Sequence, residues 1–189
     1  MNIVQFLLIL FPWTLWLAYW VLSAGATKAT ARMEESRSRT YQALPLIAGG
    51  MLISCPAPSL AAFNPDWSVV HSLQWVGFAV AVVGLLFSAW GRIHLGTNWS
   101  VSVTLKENHE LVRTGPYRVV RHPIYTGCLL ALAGDVLIGG EWRGVVGLLL
   151  IFASLFYKVR KEEHWLTEYF GGSYQRYSKE VAALIPGVL

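Results

Sequence analysis

The sequence predicts an all-α integral membrane protein of five transmembrane helices, N-terminus outside and C-terminus in the cytoplasm. Three observations lead there. The 189 residues are 54% hydrophobic and only 14% charged, too apolar for an ordinary water-soluble domain. Five apolar segments can be read along the chain. With five spans, fourteen of the fifteen Lys and Arg fall on one side, which the positive-inside rule makes cytoplasmic. Four or six spans would break that alternation. Nine tryptophans and eight tyrosines suit a protein with much surface at headgroup level.

The first segment, 3–24, carries no Lys or Arg before Ile3. It reads as a retained helix and not as a cleaved leader, although Ala24, Gly25 and Ala26 loosely resemble a cleavage site. Loop 25–40 holds Lys28, Arg32, Arg37 and Arg39, and its stretch 34–39 reads as solvated, with no chemistry of its own. The second segment, 41–62, is interrupted by Pro45, Pro56 and Pro58, so its outer end is expected to be irregular. The third, 69–95, ends at His94 beside Arg92 and Asn98. The fourth, 123–139, and the fifth, 143–157, are short against the roughly 20 residues that a span needs. Only residues 139–142 separate them, which predicts a tight antiparallel hairpin. Cys55 and Cys128 both lie in apolar runs without metal spacing and read as small buried hydrophobes. The whole chain, 1–189, reads as one membrane domain: three spans in 1–90, and the chemistry in 91–189.

The polar chemistry gathers in two blocks flanking the hairpin. The first is densest at residues 113–127. There Gly115, Pro116 and Tyr117 mark a turn, and Arg121, His122 and Pro123 follow. Pro123 suits the first position of a helix, which puts His122 at the helix N-terminus and Tyr125 one turn inward. Such a helix end favours a carboxylate; contact with lipid headgroups is the alternative. The second block begins at Lys158, Arg160, Glu162 and Glu163, about one turn beyond the fifth span. Lys158 and Glu162 share a helix face at i,i+4, and a surface salt bridge is the plain alternative. Phe170, Gly171 and Gly172 end that helix. Tyr174, Tyr177 and Val181 then resume an apolar face. Asp135, inside the fourth span, is a functional candidate by position, although its place near the outer end also lets it reach the interface. His94 is a weaker candidate for lining the site. No glycine-rich nucleotide loop, zinc-spaced cluster or nucleophile elbow occurs. That speaks against an NTPase, a metal enzyme or a serine hydrolase, and the basic balance needs no nucleic acid to explain it.

At these residues the chain resembles the isoprenylcysteine carboxyl methyltransferase family, including its short prokaryotic members. The likeness rests on His109, Glu110, Leu111 and Val112; on Gly115, Pro116 and Tyr117; on the run from Arg121 to Gly127; and on Glu162 and Glu163 followed by Phe170, Gly171, Tyr174, Tyr177, Ile185 and Pro186. It covers about half the chain. It implies methyl transfer from S-adenosyl-L-methionine to a lipophilic or lipid-modified acceptor at the cytoplasmic face of a multi-pass protein of a prokaryotic inner membrane. By that resemblance His109, Glu110, Leu111, Val112, Tyr117, His122, Pro123, Ile124 and Tyr125 line the cofactor site. Glu162 faces the acceptor, with Glu163, Arg160 and Lys158 beside it. Lys158 stands where the family carries an arginine, which leaves open whether Lys158 or Arg160 orients an acceptor carboxylate. A nicotinamide-dependent membrane reductase of sterol type, and a non-enzymatic lipid-binding protein, are the competing readings.

Overall fold

The computed structural model describes residues 3–23, 30–33, 36–54, 71–99, 104–106 and 110–187. Among the described residues six helices form: α1 (Ile3–Ser23), α2 (Ser36–Ser54), α3 (His71–Leu95), α4 (Pro123–Gly139), α5 (Trp142–Phe170) and α6 (Gly172–Glu180). Short 3-10 turns at Gly96–Asn98 and Gly115–Arg118 lead from α3 towards α4. Among the described residues three helices are long and apolar enough to cross a membrane, α1, α3 (extended to Leu73–Asn98) and α5; Gln42–Ser54 and Pro123–Gly139 are shorter apolar helices. Large apolar side chains stand exposed along α1, α3 and α5, among them Phe11, Leu86 and Leu149, as expected where the solvent is hydrocarbon and not water.

The fold is helical as expected, and one local expectation needs correction. Beside the helices, β1 (Thr30–Met33) pairs antiparallel with β2 (Thr104–Lys106). Segment 25–40 is therefore not wholly a loop, because Thr30–Met33 finds a backbone partner seventy residues away and α2 already begins at Ser36. Backbone N–H and C=O groups seek partners wherever two extended segments meet, and a local reading of charge cannot see the second segment. The irregular outer end expected for the second span, and Cys55, lie outside the described residues.

The helices associate through glycine. Gly77 and Gly84 on α3 face Gly134 and Gly127 on α4, each pair seven residues apart. A Cβ on Gly84 would lie 2.5 Å from Ala131 N and 2.6 Å from Gly127 O, and one on Gly77 would lie 2.7 Å from Gly134 O. Buried Ala81, Ser88 and Ala131 complete this seam. Small residues let backbones approach closely, the main source of packing energy where lipid is as apolar as leucine. On the other flank α2 meets α5 in the same way: a Cβ on Gly49 would lie 2.6 Å from Gly147 O, and Ser154 Oγ donates to Gln42 O at 2.9 Å.

The turn between α4 and α5 is as short as expected, closed by Gly140 in the left-handed region at φ 66°. The two helices nevertheless separate beyond it. They touch near the turn, where a Cβ on Gly144 would lie 3.2 Å from Val136, but each packs most closely on its other neighbour, α4 on α3 and α5 on α2. Space opens between them towards the polar end. Helix α5 runs 29 residues without a break, about 43 Å at 1.5 Å per residue. It outreaches a hydrocarbon core of about 30 Å, and its last turns carry the second polar block.

Asp135 departs from the interfacial reading. It is 2% exposed and its Oδ2 accepts from Trp13 Nε1 at 2.7 Å, tying α1 to α4; Gln5 Nε2 adds a bond to Ile138 O at 3.0 Å. Arg143 is buried too and pairs with Glu141.

Substitution on the α3–α4 seam should be costly. Gly84→Ala is expected to destabilise the detergent-purified protein by about 1–3 kcal/mol through overpacking. Gly172→Ala, where a Cβ meets nothing within 4 Å, should change little. Thermal unfolding followed by tryptophan fluorescence checks the contrast, and equal shifts would refute the seam's importance.

Candidate active site

The site is built on the N-terminus of α4. His122 is its N-cap and Pro123 its first residue, where the missing proline N–H costs no helical hydrogen bond. A strap from the C-terminal segment holds this end in place. Arg121 N–H donates to Ala182 O at 2.8 Å and His122 N–H to Ala183 O at 3.0 Å. Thr126 Oγ1 donates to Leu184 O at 2.7 Å. Leu184, 1% exposed, packs with Val159 of α5. Helix α6 contributes Tyr177, whose hydroxyl donates to Tyr117 O at 2.6 Å; this fixes the 3-10 turn at Gly115–Arg118. Gly115 is obligatory there. It adopts φ 58°, and a Cβ would collide with the His94 ring.

Consecutive residues on α5 meet this end with two carboxylates. Glu162 Oε1 accepts from Tyr125 OH at 2.7 Å, and its Oε2 lies 3.4 Å from His122 Nδ1. Glu163 Oε1 lies 3.3 Å from His122 Nε2 and accepts from Arg121 Nε at 2.7 Å. Arg121 also donates to Ser178 O at 2.9 Å and to Val181 O. One imidazole thus bridges two carboxylates, with the Arg121 guanidinium as second cation. Burial alone would push the His122 imidazole down, but the bonds and charges of Glu162 and Glu163 outweigh it and leave it above its ordinary value. Burial pushes the Tyr117 and Tyr174 hydroxyls well above the usual phenol range and Tyr177 up to about 12. All three stay neutral at physiological pH.

A cavity of about 550 Å³ opens from this cluster into the space between α4 and α5. Its polar end is formed by Tyr117, Arg121, His122, Tyr125, Lys158 and Glu162; its depth by Leu46, Gly50, Leu132, Ile151 and Leu155. Trp16 and Trp20 of α1 form a further wall, stacked on each other with centroids 4.1 Å apart. Trp20 meets Trp99 edge-on at 5.8 Å, and the Arg92 guanidinium lies 4.5 Å over Trp99 while donating to Ser23 O at 2.7 Å. The end of α1 is thereby pinned to α3. Lys158 Nζ sits 5.1 Å over the Tyr125 ring, so a cation and the Glu162 carboxylate stand one helical turn apart on the same wall.

The sequence-predicted residues divide. Tyr117, His122, Ile124, Tyr125, Lys158 and Glu162 line the cavity. Glu163 stands behind them, on His122 and Arg121. Pro123 is buried as the helix start. Arg160 is exposed and stacks 5.0 Å over Phe156, on a face that does not line the cavity, so of the two cations only Lys158 reaches it. Glu110 is exposed, Leu111 and Val112 are half-buried, and none of the three lines the cavity; His109 lies outside the described residues. His94 packs on Gly115 and does not line it either. The His122 ring is also not open to a ligand carboxylate in the way its helix-end position suggested, because both nitrogens face glutamates. Sequence reasoning gave no role to Arg121, which organises the cluster, nor to Trp16 and Trp20, although their i,i+4 spacing was a usable signal. Cys128 is not fully buried: it lines the cavity, 3.7 Å from Ser88 Oγ.

The raised His122 value has a sign that can be tested. The stabilisation it contributes is fully present below the ordinary imidazole value of about 6.5 and is lost as pH rises through the higher folded-state value. Thermal midpoints should therefore fall on the alkaline side. His122→Gln should lower the midpoint at pH 6 and flatten the slope above it; parallel slopes would exclude the imidazole as the source.

Comparison with known proteins finds relatives of this chain. The family model described as the isoprenylcysteine carboxyl methyltransferase (ICMT) family matches residues 75–168. A protein-S-isoprenylcysteine O-methyltransferase of Dictyostelium discoideum is 31% identical over 134 residues, covering 69% of this chain and 53% of that protein. One from Schizosaccharomyces pombe is 34% identical over 120 residues, covering 62% and 50%. A probable protein-S-isoprenylcysteine O-methyltransferase of Oryza sativa subsp. indica is 24% identical over 129 residues, covering 67% and 68%. The chain thus spans about half the length of the first two relatives. The solved structure of a eukaryotic intramembrane Ras methyltransferase, ICMT, superposes with a TM-score of 0.57 at 23% identity, over 82% of this chain and 55% of that one; at that identity the likeness is one of fold.

Proposed function

Because the chain belongs, through residues 75–168, to the isoprenylcysteine carboxyl methyltransferase family, we propose that it transfers a methyl group from S-adenosyl-L-methionine to a lipophilic acceptor, with an acceptor carboxylate such as that of a prenylated cysteine as the best fit. The observation that carries this reading is a cavity with Lys158 and Glu162 at one end and a depth lined by Leu46, Gly50, Leu132, Ile151 and Leu155 at the other. An amphiphile with one charged head and one apolar chain matches that lining. The reductase and lipid-binding alternatives gain no support from the family match.

The donor set fits the proposed cofactor chemically. S-adenosyl-L-methionine carries a sulfonium, an ammonium, a carboxylate and an aromatic base. The Glu162 carboxylate suits the cationic groups, and the rings of Tyr125, Trp20 and Trp99 can add cation–π attraction. Bound there, the cofactor supplies an electrophilic methyl group, so the protein needs no nucleophile of its own. Its task is positioning. Lys158 holds an acceptor carboxylate as a point charge on its flexible stem. Tyr125 and His122 orient Glu162, and Glu163 with Arg121 orient His122 in turn. The apolar walls exclude water from the reacting end. For an amine or hydroxyl acceptor, Glu162 would serve as the general base.

The same proposal places five spans in the membrane, with the N-terminus outside, the C-terminus in the cytoplasm and the charged end of the cavity at the cytoplasmic face of an inner membrane. A water-soluble donor then enters from one phase and the acceptor from the other.

Calorimetry should show S-adenosylhomocysteine binding to the detergent-purified protein, and labelled methyl should pass to N-acetyl-S-farnesylcysteine. Tyr125→Ala, His122→Ala and Glu162→Ala should each lower that rate by about a hundred-fold, the scale of a small misplacement of reacting groups, while the protein still inserts. Binding of NADPH without S-adenosylhomocysteine, or full activity in all three variants, would overturn the assignment.

A further inference from the structure

The geometry points to Gly50 as the residue that sets how long an acceptor chain the cavity takes; this rests on the proposed methyl transfer to a lipophilic acceptor. Helix α2 carries two consecutive glycines with opposite surroundings. A Cβ on Gly49 would lie 2.6 Å from both Gly147 O and Ile151 Cγ1, so Gly49 is required by the packing of α2 on α5. A Cβ on Gly50 would meet nothing within 4 Å, yet Gly50 lines the cavity. Packing does not demand glycine there, and glycine inside a helix is unfavourable relative to alanine. What its missing side chain leaves is open volume at the cavity's deep end.

The depth follows from register. Helix α2 runs antiparallel to α5, with Gln42 beside Ser154 and Gly49 beside Gly147 and Ile151. Gly50 therefore lies level with the stretch between Gly147 and Ile151. At 1.5 Å per residue that is roughly 16–22 Å along α5 from Glu162, which sets the length of extended chain the cavity takes. The lining at that level is Leu46, Leu132, Ile151 and Trp16, with no charged side chain among the described residues. The ligand class is thus a single-chain lipophile whose tail ends beside Gly50. Gly50 precedes the stretch matched by the family model, 75–168, so the length limit is carried by a part of this chain outside that match.

The test is binding of N-acetyl-S-geranyl-, N-acetyl-S-farnesyl- and N-acetyl-S-geranylgeranylcysteine to the full chain by calorimetry, with S-adenosylhomocysteine measured in parallel. Gly50→Leu should weaken the two longer probes by about ten-fold or more and the geranyl probe by less than about two-fold, with S-adenosylhomocysteine unchanged. Gly50→Ala should show the same order with smaller losses, and it serves if the leucine variant does not fold. Equal losses at all three lengths, no loss, or no binding of any probe to the unaltered chain would overturn the role of Gly50. If length ordering persists without S-adenosylhomocysteine binding, the chain-length role stands and methyl transfer falls. If S-adenosylhomocysteine binds without length ordering, the reverse holds.

Discussion

Two consecutive half-buried carboxylates cannot share a helix end without cations to meet them, and that constraint organises this protein. Adjacent residues on a helix point about 100° apart. Glu162 and Glu163 therefore cannot be met from one direction by one simple ion. The solution is an imidazole with a ring nitrogen on each carboxylate, backed by a guanidinium on the second. His122 and Arg121 are themselves consecutive, so the whole N-terminus of α4 must sit against the end of α5. The C-terminal strap follows from the same need, because it occupies the backbone N–H groups of Arg121 and His122 and gives the Arg121 guanidinium two carbonyls. Removing one partner from such a cluster leaves an uncompensated, largely desolvated charge, which costs more than the net value of the pair.

Glycine placement decides where the empty space goes. The α3–α4 and α2–α5 seams close to backbone contact because glycine stands where side chains would collide. Between α4 and α5 the facing residues are larger: Tyr125, Leu132, Ile151 and Leu155. The hairpin splays, and the cavity forms in its fork with the charge cluster at one end. A tight turn followed by divergent helices gives a site that is rigid at both ends and open in the middle. Such preorganisation suits chemistry that consists of positioning.

The parts that handle charge and the parts that shape the apolar depth come from different stretches. The family match begins at residue 75 and ends at residue 168. It takes in Tyr117, His122, Tyr125, Lys158 and Glu162. Trp16, Trp20, Leu46 and Gly50 precede it, and the strap at 181–184 follows it. Under the proposed methyl transfer, a charged end inside the match and apolar walls outside it would let the acceptor differ while the chemistry stays the same, in keeping with function residing in sites carried on folds.

Local chemistry in the sequence determined the helices' approximate places, the His122–Pro123 helix start, the stop at Gly171 and the gathering of charge around Glu162 and Glu163. Each depends on a near-neighbour rule: apolar run length, the missing proline N–H, glycine's freedom beyond a helix, or i,i+4 spacing. Only the tertiary structure decided which way those groups face. It turned Lys158 into the cavity and Arg160 out of it, although they are two residues apart, and it closed the His122 ring between two glutamates instead of leaving it for a ligand. It also paired Thr30–Met33 with Thr104–Lys106 and buried Asp135 against Trp13, links made by residues about seventy to one hundred and twenty positions apart. Side-chain direction around a helix depends on what packs against it, and that is information carried by the partner segment and not by the residue itself.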